Sequence, residues 1–161
     1  MPGAYTHLTM VTILSSAKSL SKIDGLSMPQ LAPLLRNTKF IELGAVSPDY
    51  PYLHLSSESK DWADTMHYEK TGERLKRGIQ YVSGLEGEEQ AKALAWLLGF
   101  TSHVITDVTI HPVVECMVGP YAQNKTVHRT CEMHQDVYIF QRLQVGQPLS
   151  DDFLINQCRN C

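Results

Sequence analysis

The chain has 161 residues, a length that suits one domain and is short for two. Its 43% hydrophobic content and formal net charge of −3 exclude a disordered chain, and they argue against a protein that binds nucleic acid mainly through phosphate neutralisation. The unusual feature is seven histidines, against four phenylalanines. Function therefore depends on where these histidines lie.

No signal peptide is predicted at the start of the chain. The apolar run at residues 8–14 includes two threonines and follows no basic segment. No run approaches the ~20 apolar residues of a transmembrane helix. We expect a cytoplasmic protein with free thiols. Cys158 and Cys161 form a C-x-x-C that lacks the second half of a zinc site.

Apolar residues recur at helical spacing, whereas the strict alternation of strands is almost absent. Helices are predicted at residues 6–20, 29–36, within 61–81, at 88–110 and at 123–143. Residues 43–53, which contain two prolines and a glycine, are predicted to form a loop. We expect one all-α domain over 1–161, a helical bundle around one core, with C-terminal truncation as one interpretation of its abrupt end.

Several finer expectations accompany these helices. The core-facing residues of the first helix are expected to be Leu8, Val11, Ile13 and Leu14. Glycines and prolines are expected to interrupt or end the later helices, at Gly72, Gly78, Pro112, Gly146 and Pro148.

The helix predicted at 88–110 and the residue after it contain a chemical anomaly. His103, Asp107 and His111 follow one another at four-residue steps, and each step turns a helix by only ~40°, so they share one side. The apolar neighbours predict a largely buried helix: Val104, Ile105, Val108 and Ile110. Because a buried carboxylate is costly unless it is paired or binds metal, two histidines beside an aspartate indicate a divalent cation.

The next predicted helix repeats this arrangement, since His128 and Glu132 are also four residues apart. Two such helices facing each other build a multinuclear metal site inside a bundle. For one His/acid pair alone, a side-chain hydrogen bond or a solvated helix face is the simpler interpretation. Two pairs together with His111 favour metal binding.

Three isolated upstream residues are further candidates. His7 lies in an apolar segment, Asp49 in the proline-containing loop, and His67 three residues after an aspartate. Alone, each is compatible with an ordinary role: a hydrogen-bonded core histidine, a turn aspartate and a surface pair. His54 has no acidic neighbour at a useful spacing and is assigned no role.

The order of these residues resembles the zinc-dependent phospholipase C family. The pattern is His7, Pro48-Asp49, His67, GFTSH-x-x-x-D-x-x-x-H at residues 99–111, and His128-x-x-x-Glu132. The 99–111 stretch is especially similar to the catalytic domains of glycosylphosphatidylinositol-specific phospholipases D. The resemblance spans residues 7–132 and implies an all-α bundle that binds three zinc ions and hydrolyses phosphodiesters.

The resemblance also implies how the ligands are shared among two to three zinc ions (Zn2+). One ion would be held by Asp49, His67, His103 and Asp107. A second would be held by His111, His128 and Glu132. The third would be held by His7 and by Asp107, which would bridge. Family members add the amino and carbonyl groups of the mature N-terminal residue there, and this chain departs from them because no secretory cleavage is predicted.

Zinc lowers the pKa of a bound water toward ~7. We expect Asp49 to orient or deprotonate that water besides binding metal, which makes it the catalytic candidate. Four aromatic residues near the ligands in sequence are candidates for lining a substrate cleft: Tyr50, Tyr52, Trp62 and Tyr68. Core packing is an equal alternative for Trp62.

The leading prediction is a zinc-dependent phosphodiester hydrolase of phospholipase C type that acts on a phospholipid head group or a related small phosphodiester. A single-strand-specific zinc nuclease is the second hypothesis, although the acidic balance argues against the positive groove that it needs. A non-catalytic, metal-stabilised remnant of a larger enzyme is the third. The sequence leaves the oligomeric state open.

Overall fold

Helices account for nearly all of the structure that the computed structural model describes, namely residues 3–20, 22, 24, 27–54 and 56–143. The α-helices are α1 (Ala4–Leu14), α2 (Ala17–Leu20), α3 (Met28–Arg36), α4 (Thr38–Val46), α5 (Ser57–Tyr68), α6 (Thr71–Ser83), α7 (Gly87–Val118) and α8 (Tyr121–Leu143). A 3-10 helix spans Ser47–Leu53. These ranges contain no strand, so the all-α prediction is confirmed.

Helix α7 is the centre of the bundle. It packs against α1, α3, α4, α6, α8 and the 3-10 helix. By length and composition α7 is also apolar enough to cross a membrane, with a mean hydropathy of 1.4 over its most apolar window. In the structure its inner side buries both apolar residues and the polar side chains of His103 and Asp107, as expected for the central helix of a bundle.

Helices α4 and α7 approach each other closely. A Cβ atom on Gly44 would overlap the carbonyl oxygen of Trp96, and one on Gly99 would overlap that of Ile41. Glycine is therefore required on both helices at this crossing. The main apolar cluster lies beside it: Val11, Leu34, Ile41, Ala45 and Ala95. This close approach brings the backbone of α4 within reach of side chains on α7.

The structure corrects the helix predicted at 6–20. Helix α1 ends at Leu14, and α2 starts at Ala17, because the Ser16 hydroxyl donates to the carbonyl of Ile13 and accepts the N–H of Ser19. Serine competes in this way for backbone groups of a helix. Ile13 and Leu14 were wrongly expected in the core, since both are exposed, whereas Leu8 and Val11 are buried as predicted.

The loop predicted at 43–53 is also wrong. Residues 43–46 complete α4, a helix that the sequence analysis missed, and residues 47–53 form the 3-10 helix. Pro48 lies in the first turn of that helix, where a missing N–H removes no hydrogen bond. Within 61–81, the break falls at Lys70, which has a φ of 47°, and not at either glycine.

Pro112 does not end α7, which continues to Val118. A proline inside a helix costs about 3 kcal/mol, and the buried side chain of Val114 in the following turn helps to offset that cost. The apolar neighbours of His103 predict a largely buried helix, but two of them, Ile105 and Val108, face solvent. Four other residues lie outside the described ones: Gly146, Pro148, Cys158 and Cys161.

Candidate metal centre

Histidine and carboxylate side chains converge in three groups inside the bundle. The groups are His7, His103 and Asp107; Asp49, His67 and His103; and His111, His128 and Glu132. Within each group the candidate ligand atoms all lie within 4.8 Å of one another. The structure thus brings together all eight residues that the sequence analysis singled out as metal candidates, and His103 joins the first two groups.

These residues come from five elements, so the site forms only when the bundle does. Helix α1 supplies His7, the 3-10 helix Asp49, α5 His67, and the rest come from α7 and α8. The 3-10 helix packs against α4, α5 and α7. One contact with α7 is the indole N–H of Trp96, which donates to the Ser47 hydroxyl at 3.1 Å, two residues before Asp49.

Two backbone carbonyls orient the rings of His67 and His103. The Nδ1 atom of His67 lies 2.7 Å from the carbonyl oxygen of Ala63, and that of His103 lies 2.7 Å from the carbonyl oxygen of Ala45. Because a carbonyl only accepts, Nδ1 carries the proton in both rings, and Nε2 of each neutral ring presents a lone pair. Histidines that bind metal are oriented by such second contacts.

The two Nε2 atoms face each other at 3.0 Å. Two lone pairs cannot hydrogen bond to one another, so a proton or a cation must be shared between the rings. A cation fits the surroundings, because carboxylates approach the same two atoms. Asp49 Oδ1 lies 3.3 Å from His67 Nε2, and Asp107 Oδ2 lies 3.3 Å from His103 Nε2.

The remaining carboxylate oxygen of Asp107 faces His7. Its Oδ1 atom lies 3.4 Å from His7 Nε2, and the His7 ring stacks on His103 with centroids 3.9 Å apart. The distances from the Asp107 oxygens to His7 Nε2 and His103 Nε2, 3.4 Å and 3.3 Å, are long for hydrogen bonds. They match tetrahedral zinc geometry, in which ligands about 2.0–2.1 Å from one ion lie about 3.3 Å from each other. Asp107 therefore presents one oxygen to each of two neighbouring groups.

The third group lies between α7 and α8. His128 Nε2 and Glu132 Oε1 are 2.9 Å apart, and His111 Nε2 lies 3.6 Å from the same oxygen. His128 and Glu132 are almost completely buried. Tyr121 packs edge-on against His128, with ring centroids 5.0 Å apart.

Unsatisfied polar atoms give an independent test of whether this donor set fits a metal. Among the described residues, the buried side-chain atoms without a hydrogen-bond partner are His7 Nδ1 and Nε2, Asp49 Oδ1, Asp107 Oδ1, His111 Nε2 and His128 Nδ1. All belong to the eight candidate ligands. A buried group left unsatisfied costs about 1–3 kcal/mol. Nitrogen and oxygen donors concentrated in this way fit divalent zinc.

Residues 6–160 match the zinc-dependent phospholipase C family. The chain belongs to this family. Comparison with curated proteins and with solved structures gives no significant match. Membership makes the chain a zinc-dependent hydrolase, and the three His/carboxylate groups are the candidate zinc sites of this phospholipase C-family protein.

Burial and charge set the protonation of the phospholipase C-family site. Burial lowers the pKa values of His7 and His111, which keeps both rings neutral at neutral pH. Burial would also lower the pKa of His103, but the Asp107 carboxylate outweighs it and the net pKa is raised. Although burial opposes ionisation of Asp107, His103 and His7 hold the pKa of its carboxyl well below the usual range. Asp107 is therefore ionised.

The aromatic candidates divide into two pairs. The rings of Tyr52 and Tyr68 lie 5.5 Å and 5.9 Å from His67, centroid to centroid, and both line a cavity beside the site. Tyr50 and Trp62 are not in that lining. Trp62 is 58% exposed, so its alternative role in core packing is wrong. Burial raises the pKa values of Tyr52 and Tyr68, which therefore remain protonated.

Sequence reasoning missed three contributors to this site. The carbonyls of Ala45 and Ala63 orient His103 and His67, and a backbone group leaves no trace in residue identity. Tyr121 contacts His128 across the kink of α8 at Asn124, so helical spacing did not reveal that contact.

Proposed function

We propose that this protein is a zinc-dependent phosphodiesterase of phospholipase C type, acting on a phospholipid or a related small phosphodiester. The pair of facing Nε2 atoms of His67 and His103, with a carboxylate beside each, is the observation that carries the proposal. Such a pair suits a shared cation, and the family to which the chain belongs depends on zinc.

The proposed ligand sets follow the groups in the structure. Asp49, His67, His103 and Asp107 would hold one zinc, and His111, His128 and Glu132 a second. His7 would hold a third with Asp107 as the bridge. Bound zinc supplies Lewis-acid charge that activates water and neutralises phosphoryl oxygens.

Asp49 is the proposed catalytic carboxylate. Its side chain is 22% exposed, against 12% for Asp107 and 3% for Glu132, so it is the carboxylate that a water from solvent reaches most easily. We assign it to orient the attacking water and to accept its proton. The water oxygen bonds to phosphorus, the bond from phosphorus to the glycerol oxygen breaks, and that oxygen takes a proton.

The products of this reaction are diacylglycerol and the phosphorylated head group. Product analysis on a short-chain phospholipid, with protein loaded with zinc and with protein treated with chelator, tests the proposal. We expect diacylglycerol from the zinc-loaded protein alone. Phosphatidate instead would indicate cleavage on the other side of phosphorus, as the similarity of residues 99–111 to glycosylphosphatidylinositol-specific phospholipases D suggests.

Two further outcomes separate the remaining alternatives. Single-stranded DNA, assayed beside the lipid, would be degraded preferentially by a zinc nuclease. A zinc-loaded, folded protein that hydrolyses neither substrate would be the metal-stabilised remnant. Either outcome would contradict the proposed phospholipase activity.

A further inference from the structure

A cavity of about 310 Å³ lies directly beside the proposed zinc groups. Its lining residues are Tyr52, Lys60, Asp64, Tyr68, Glu69, Tyr121, Lys125 and Arg129. Tyr52 and Tyr68 pack against His67, and Tyr121 packs against His128. The cavity is therefore bordered by two of the three groups, and a diester bound at the metal centre would extend into it.

Two helical stripes form the walls of this cavity. On α5 the stripe is Lys60, Asp64 and Tyr68, and on α8 it is Tyr121, Lys125 and Arg129. The four-residue steps place Lys60, Asp64 and Tyr68 on one side of α5, and Lys125 and Arg129 on one side of α8. Tyr121 precedes a kink in α8 at Asn124, and its ring lines the cavity from the other side of that kink. Each stripe has an aromatic ring next to a metal group. Farther along, the α5 wall carries one carboxylate and one cation, Asp64 and Lys60, and the α8 wall carries two cations, Lys125 and Arg129.

The lining charges favour an anion. Three lining residues are cations, and in the described part of the chain none of them forms an ion pair. Of the two carboxylates, Asp64 already accepts the Tyr52 hydroxyl at 2.6 Å. Lys125 lies over the Tyr121 ring, with its Nζ atom 5.8 Å from the ring centroid, so this ring is already occupied by a cation. A quaternary ammonium head group would meet repulsion here.

We propose that this cavity binds the head group of the substrate and selects one that carries negative charge of its own, such as a phosphorylated inositol. The proposal rests on the proposed function and names its substrate class. Arg129 presents a planar fork suited to a phosphate, and Lys125, four residues earlier on α8, adds a second cation on the same side. The diester phosphate would stay at the metal centre while the second anionic group reaches these two side chains.

The test compares zinc-loaded proteins on monomeric dihexanoyl lipids, which removes any contribution of a charged membrane surface. The substrates are dihexanoyl phosphatidylinositol monophosphate and dihexanoyl phosphatidylcholine. We expect wild type to prefer the inositol lipid in kcat/KM. The double variant Lys125→Gln/Arg129→Gln should lower this preference about tenfold, with unchanged zinc content.

A matched control removes two cations from the outer face of α6, in the variant Lys76→Gln/Arg77→Gln. Both residues are exposed, and neither lines the cavity. The control should keep the wild-type preference. Wild type that prefers phosphatidylcholine, or a preference that the two variants lower equally, would overturn the proposal.

Binding of the released head group separates this proposal from the proposed function. Inositol bisphosphate, titrated into zinc-loaded protein by calorimetry, should bind wild type about tenfold more tightly than Lys125→Gln/Arg129→Gln. That result in a protein without hydrolytic activity would uphold the cavity proposal and defeat the proposed function. Absence of binding, or equal binding of inorganic phosphate, would overturn the cavity proposal.

Discussion

The carboxylate of Asp136 in α8 accepts the backbone N–H of Thr6 in α1 at 2.8 Å. It also accepts the Thr6 hydroxyl at 3.0 Å and the N–H of Tyr5 at 3.3 Å. Asp136 therefore caps the N-terminal turn of a different helix, where the Thr6 N–H also donates to the carbonyl of Gly3 at 3.1 Å. Because His7 is the next residue, this contact fixes the part of α1 that faces the metal centre.

Removing this cap should destabilise the protein. We expect Asp136→Ala to lower the free energy of unfolding by about 1–2 kcal/mol, the usual cost of losing an N-cap. Urea denaturation measures the change, and His134→Ala, an exposed change on the same helix, is the control. Equal losses in the two variants would show that the cap does not stabilise α1.

The burial of Asp136 also predicts that the stability of the protein depends on pH. Burial raises the pKa of Asp136 above its ordinary value of 3.8, although the N–H groups of Thr6 and Tyr5 oppose the shift. The folded chain then binds this proton more tightly than the unfolded chain, so the stability it adds is lost as pH rises through the folded-state pKa. In Asp136→Asn the amide does not titrate, so this variant does not lose that stability as the pH rises.

In metal-free protein, the free energy of unfolding of Asp136→Asn relative to wild type should therefore rise as the pH increases from 3.8. Denaturation curves of both proteins across that range measure it. A relative stability that falls with increasing pH would mean that the ionised carboxylate is the form that the fold favours.

The crossing of α4 and α7 gives a prediction that links packing to the site. Gly99→Ala should force the two helices apart and cost about 1–3 kcal/mol. It should also weaken zinc binding, because the carbonyl of Ala45 orients His103 across this contact. Both effects are measurable, by denaturation and by competition with a zinc chelator.

Gly72→Ala is the matched control, since a Cβ there meets nothing within 4 Å. An alanine in this exposed helical position should stabilise the protein by about 0.5 kcal/mol. Unchanged zinc affinity in Gly99→Ala would show that the approach of α4 does not orient His103.

The helices that were predicted most accurately are the long ones, because a long helix offers many local signals along the sequence. Acidic residues followed by a long apolar stretch identified most of α7, and residues 123–143 were likewise predicted as the helix that the structure shows as most of α8. Helix α4 was missed because it has only nine residues and its last turn meets a segment with two prolines. The exposure of Ile105 and Val108 depends on which sides of α7 have neighbours, which local periodicity does not specify.

The candidate site was easier to predict than the fold. Histidines and carboxylates at four-residue steps are visible in the sequence, and the order of the isolated residues His7, Asp49 and His67 added weight through the family resemblance. Their grouping followed from the family resemblance and not from spacing, since His103 meets both His67 and His7 only after α1 packs against α7 and α5 packs against the 3-10 helix. The orienting carbonyls likewise depend on backbone geometry alone.

Substitutions in different groups should remove different amounts of zinc. His103 lies in two groups, so His103→Ala should reduce zinc content more than Glu132→Gln, which affects one group. Each variant should lower phosphodiesterase activity at least about 100-fold. The exposed His54→Ala serves as the control, with circular dichroism to verify folding. Equal zinc loss in His103→Ala and Glu132→Gln would contradict the shared role of His103.

Zinc content tests the central claim most directly. The measurement is elemental analysis of wild-type protein purified without added metal or chelator, with folding verified on the same sample. The eight converging donors predict about two to three zinc ions per chain. Folded protein that contains no zinc, and takes up none when it is supplied, would contradict the account.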